Sequence, residues 1–193
     1  MKKNTLLSIA SLACKLINAI ILITIITATA LFIHFQLDKS AYQNWDFIDQ
    51  KSGSSIISLE SKIDYSKNSE TVSPQKPNFI NFSTLSLYFN YIKFTVSASL
   101  IFMSIRLFGK VIASVKNRKT FENINAFAFK RIGIYCFIIG IISSYDYYDF
   151  ETQYKLTRIS LNLTFYIIAL IAFVLSEIFK EGNKLKLESD LTI

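Results

Sequence analysis

The chain has 193 residues, 51% hydrophobic and 18% charged, with a formal net charge of +7, 5 glycines and 2 prolines. Its mean hydropathy is +0.36. Soluble domains carry about 25% charge, so the composition excludes a disordered chain, a disulfide-built secreted scaffold and an ordinary soluble enzyme. The length suits a small bundle of membrane helices.

A bilayer core of about 30 Å needs about 20 apolar helical residues at about 1.5 Å each. Leu16 to Phe35 meets that length without a charge and extends back toward Leu6. Ahead of it, Met1 to Lys15 has the basic opening of a cleavable signal, and Ser11-Leu12-Ala13-Cys14 approaches a lipoprotein cleavage site. Ser11 stands where such a site prefers Leu, however, and the long apolar run after Lys15 exceeds a signal's apolar region. The segment reads as part of an uncleaved first span.

The next segment, 36–80, is polar and holds both prolines, Pro74 and Pro77. Within it Ile57, Leu59, Ile63 and Tyr65 alternate with Glu60, Lys62 and Asp64, the period of a half-buried strand. One or two short strands are expected here, as a lid over helix ends; a ligand sensor is the sharper alternative. Leu87 to Phe108 is the second span, with Lys93 and Arg106 toward its ends. Ile132 to Tyr148 is the third and Ile159 to Phe179 the fourth. Their many β-branched residues do not argue for strands, because backbone in lipid must bond to itself. The fold class is therefore an all-α integral membrane protein: a single four-helix membrane domain over 1–193, with an extracytoplasmic loop 36–80, a cytoplasmic loop 109–130 and a cytoplasmic tail 180–193.

Loop charges set the orientation. Lys110, Lys116, Arg118, Lys119, Lys130 and Arg131 crowd the second connection against Glu122 alone, whereas 36–80 and 149–158 are mixed in charge. The positive-inside rule places both termini and 109–130 in the cytoplasm of a plasma (cell inner) membrane protein.

Small and polar stripes read as helix–helix seams: Gly133, Cys136 and Gly140 on the third span; Asn162, Tyr166, Ala169, Ala172 and Ser176 on the fourth; Ser97, Ile101 and Ser104 on the second. Lys93 is expected to snorkel outward. Asp146, Asp149 and Arg158 are expected to pair with one another at the outer ends of spans three and four. His34 is expected as an interfacial aromatic, and Tyr145, Tyr147, Tyr148 and Tyr154 as an aromatic belt. Cys14 and Cys136 lie in apolar runs, no CxxC pair exists and His34 is the only histidine. A zinc site needs about four N/S ligands, so no metal or cofactor is expected. HExxH, GxSxG and P-loop patterns are missing, and no enzyme activity is expected.

Two stretches carry a resemblance. Lys119-Thr120-Phe121-Glu122-Asn123, followed by Ile132-Gly133, resembles the "PF-x-x-N … I-G" pattern that opens the third helix of one bacterial family. Glu177-Ile178-Phe179-Lys180-Glu181-Gly182, leading through Leu185 to Leu191-Thr192-Ile193, resembles its ending. That family is the domain of unknown function 2975, small bacterial proteins with four membrane spans. Thr120 stands where the family often has Pro, and the preceding Gly is replaced by Arg118 or Lys119. The resemblance implies no established activity. Members are often encoded beside small helix-turn-helix regulators, which implies a membrane partner for a transcription factor.

The residues themselves fit that picture. Thr120 suits a helix N-cap, and Gly182 suits a C-terminal turn closing span four. Leu185, Leu187 and Leu191 alternate with charges, as a docking segment does. Phe121, Asn123, Gly182, Leu185, Leu187 and Leu191 are the candidate partner-binding residues. The expected partners are the lipid bilayer, a cytoplasmic DNA-binding regulator and further copies of the chain, with no direct nucleic-acid contact. Immunity against membrane-active peptides and small-molecule transport are the alternatives.

Overall fold

The computed structural model of the chain describes residues 3–43, 57–64, 81–150 and 154–191. Four helices are long and apolar enough to cross a membrane: α1 (Lys3–Leu37), α2 (Thr84–Lys116), α3 (Asn123–Ser143) and α4 (Leu163–Asp190). Three strands, β1 (Ile57–Asp64), β2 (Tyr145–Phe150) and β3 (Tyr154–Leu161), form an antiparallel sheet in the order β1-β3-β2. This is a multi-pass membrane fold with a small sheet. Contacts gather the chain into two compact units. One comprises Met1–Thr24, Ala98–Gly140 and Thr164–Ile193; the other comprises Ile25–Ser97 and Ile141–Leu163.

The first unit is helical. Its core is Val111, Ala128, Phe129, Ile132, Cys136, Ala169 and Ala172. Apolar side chains gain little from each other when lipid is the alternative, so helices approach through small residues. A Cβ on Gly133 would lie 2.7 Å from the Phe173 ring, and one on Gly140 would lie 3.0 Å from the Tyr166 ring. The Ser176 hydroxyl donates to the Ala126 carbonyl at 2.8 Å. The stripes on spans three and four are thus the α3–α4 seam.

The second unit holds the sheet. Ser86, Asn90 and Lys93 lie at i, i+4 and i+7, one face of α2. That face lies along the outer edge of β2. Ser83 N–H donates to the Asp149 carbonyl at 2.8 Å. Ser86 Oγ and Asn90 Nδ2 donate to the Tyr147 carbonyl at 3.0 and 2.8 Å. Lys93 Nζ donates to the Tyr145 carbonyl at 2.7 Å and pairs with Asp146 at 2.5 Å. On α1, Phe32 stacks on Tyr91 at 4.0 Å, and Thr29 Oγ1 lies 3.0 Å from the Tyr91 hydroxyl. Past α1, Asp38 accepts hydrogen bonds from the Ser40 hydroxyl and N–H, and the hydroxyl bond chiefly holds its carboxyl below the usual range.

Several expectations change. Span three ends as helix at Ser143 and span four starts at Leu163, because residues 145–150 and 154–161 are strands. The tyrosines and β-branched residues there suit a sheet once α2 supplies partners to its edge. The strand expected within 55–65 is β1, yet Leu59 and Ile63 are 69% and 51% exposed. The packed face is the other one, where Arg158, Leu156 and Phe150 are buried. Alternation marks two faces, but in a membrane protein it does not say which one packs inward. Lys93 reaches Asp146 and the Tyr145 carbonyl. Arg158 pairs with Glu60 of β1 at 3.3 Å, and Asp146 pairs with Lys93. His34 Nδ1 lies 3.0 Å from the Tyr42 hydroxyl. Pro74, Pro77 and Tyr65 lie outside the described residues.

Replacing Asn90 by Leu removes a donor from the Tyr147 carbonyl while keeping volume. We expect a loss of about 1–3 kcal/mol, read as a lower unfolding midpoint in detergent. Ile92→Leu, two residues on and so on nearly the opposite side of the same helix, 57% exposed, serves as the control.

Candidate functional site

The α2–α3 connection is a built turn. Lys119 N–H donates to the Ser114 carbonyl at 3.0 Å and Arg118 N–H to the Val115 carbonyl at 3.1 Å. These two bonds form the Schellman closure of a helix end, whose central residue takes a left-handed conformation. Arg118 occupies it, with φ 60°. Asn125, 2% exposed, locks the turn from α3. Its amide nitrogen lies 3.0 Å from Ser114 Oγ, 3.0 Å from the Lys119 carbonyl and 2.7 Å from the Thr120 carbonyl.

The locked turn presents Phe121 to α4. The Phe121 and Phe179 rings are 5.8 Å apart, and a Cβ on Gly182 would come within 2.3 Å of the Phe121 ring. Gly182 is therefore a contact glycine inside α4, which runs on to Asp190; it does not close the helix as expected. Nor does Thr120 cap α3. The helix begins at Asn123, and Thr120 contributes its carbonyl to Asn125.

The fold brings Phe121 and Gly182 together and leaves the other candidates apart. Asn123 is exposed and lines a cleft of about 350 Å³ with Lys130, Ser176 and Glu177. Leu185, Leu187 and Leu191 are all exposed, Leu191 at 87%. Residues two apart lie on nearly opposite sides of a helix. Leu187 and Leu191 therefore share one side of α4, and Leu185 shares the other with the exposed Ile178. Among the described residues no group of His, Cys, Asp and Glu is placed to hold a metal.

Residues 75–193 match the family described as protein of unknown function (DUF2975). The chain belongs to that family. The part that matches DUF2975 contains α2, α3, α4, β2 and β3, whereas α1 and β1 precede it. Neither the curated proteins nor the solved structures contain a match to the chain. Asn125 was missed in the sequence, where attention fell on Asn123. A signal was there: Asn125 falls in register with Ala128, Phe129, Ile132 and Cys136, so a polar residue sits in an apolar stripe and needs a buried partner.

Two substitutions test this DUF2975 turn. Arg118→Gly relieves the left-handed conformation and is expected to raise stability by about 1 kcal/mol. Gly182→Ala drives a methyl into Phe121 and is expected to destabilise by about 1–3 kcal/mol. In a Phe121→Ala background the same change should turn stabilising by about 1 kcal/mol, through helix propensity alone. Thermal unfolding of the four proteins of that cycle reads the sign.

Proposed function

We propose that this protein is a non-enzymatic membrane partner that binds a small soluble regulator, a helix-turn-helix DNA-binding protein, on the face built from the 109–130 connection and the end of α4. The observation that carries this reading is the continuation of α4 to Asp190 with two exposed apolar sides. A helix bearing leucines a turn apart, set among Lys184, Lys186 and Glu188, has the form of a segment that lies in a partner's groove. Its base is held by Phe121 against Gly182, so the helix is preorganised and less ordering entropy opposes docking.

The orientation that goes with this proposal has both termini and the 109–130 connection in the cytoplasm. The charge asymmetry between connections supports it, and cysteine labelling tests it. With Cys14 and Cys136 replaced by Ala, a Cys at Ser54 should react with an impermeant maleimide added to intact cells. A Cys at Asn117 should react only after lysis.

The binding proposal is tested by Leu187→Ser/Leu191→Ser. Each leucine is worth about 1.5–3 kcal/mol when buried, so the co-expressed neighbouring regulator should shift from the membrane to the soluble fraction by at least about tenfold. Membrane levels of the protein itself should be unchanged. If the regulator's distribution is the same with and without the two leucines, the docking reading fails.

A further inference from the structure

Where the helical unit carries its cations is a separate matter from its leucines. Lys110 lies six residues before the end of α2, and Arg131 lies eight residues after the start of α3. At about 1.5 Å per residue both sit about 9–12 Å from the connecting turn. Both line a cleft of about 570 Å³. A Cβ on Gly109 would lie 3.6 Å from Cys14 Cβ, which brings Lys15 of α1 to the same level.

The cleft has an uneven charge. Lys110, Lys119 and Arg131 line it, with Glu122 as its one carboxylate. Lys119 pairs with Glu122 at 3.4 Å. Lys110 and Arg131 are exposed and have no acidic partner among the described residues. Leu107, one turn deeper on α2, and Val111 and Phe127 supply apolar wall beside them.

We propose that this cleft is a binding site for the phosphate headgroup of an anionic phospholipid. A band of cations shared by α1, α2 and α3 at one height is what marks the headgroup level of a bilayer protein. Basic pockets between spanning helices at that level take lipid phosphates. The planar fork of Arg131 matches two phosphate oxygens, Lys110 adds a point charge, and the acyl chains run over Leu107 toward the hydrocarbon. The Asn125-locked turn fixes the spacing of the two helices, so the cations are held apart at a set distance. The site uses none of the leucines of the partner-binding reading and stands without it.

The test uses the purified full chain in neutral detergent micelles doped with either dioleoylphosphatidylglycerol or dioleoylphosphatidylcholine. The anionic lipid should raise the unfolding midpoint and survive as a bound species in native mass spectra; the zwitterionic lipid should do neither. Lys110→Gln/Arg131→Gln should lower lipid retention by about tenfold or more, whereas Lys110→Arg/Arg131→Lys should keep most of it. Lys184→Gln/Lys186→Gln removes the same charge elsewhere and should leave retention unchanged. Equal stabilisation by both lipids, or equal loss in the Lys184/Lys186 variant, overturns the site. Displacement of the lipid by low millimolar glycerol 3-phosphate would assign the cation pair to a soluble phosphate compound and overturn the lipid source.

Discussion

The sheet can stand where it does because three carbonyls on the outer edge of β2, those of Tyr145, Tyr147 and Asp149, find donors on α2 and on Ser83 just before it. An unpaired backbone group out of reach of water costs several kcal/mol. Ser86, Asn90 and Lys93 then act as a polar rail for a strand whose edge would otherwise be open. That rail also explains Lys93, an ammonium within an apolar run. Its charge is met by Asp146 and its protons by a strand carbonyl.

In the helical unit a different chain of dependence runs outward from one amide. Asn125 closes the α2–α3 turn onto Ser114, Lys119 and Thr120. The closed turn sets Phe121, and Phe121 sets where α4 passes, because only a glycine at 182 leaves room for its ring. Arg118 in a left-handed conformation is the strained member of this set, and the bonds around it hold it there. The direction taken by the last ten residues of α4 is thus decided by side chains some sixty positions earlier in the chain.

Much of this architecture was legible in the residues. Apolar run lengths found all four helices, alternation found β1, and small-residue stripes found the α3–α4 seam. The β2–β3 hairpin was not legible, because Tyr145 to Tyr148 and Ile159 to Leu161 continue apolar runs of helical length. Nothing within those runs announces that donors wait on α2, more than fifty residues away. The sign of the β1 face was hidden for a related reason: hydrophobicity identifies the core in water, whereas here Arg158 lies inside and Leu59 outside. At the turn, the motif drew attention to Thr120 and Gly182 as punctuation and to Asn123 as a contact residue. The structure uses a carbonyl, the neighbouring Asn125 and a close ring contact instead. The leucines of the C-terminal segment were visible, but their grouping into two sides depended on the segment being helical.

β1 joins the sheet from a stretch that precedes the family-matched residues, and it is fixed in two ways. An eight-residue ladder pairs Ile57 with Leu161 through to Asp64 with Tyr154, and Glu60 meets the buried Arg158. A slip of one position would turn Glu60 to the opposite face, away from Arg158, which is only 4% exposed. Register is consequently clamped from within the strand. Changes in the length of the flanking stretches, 44–56 and 65–80, therefore leave the ladder's register where the strand itself sets it.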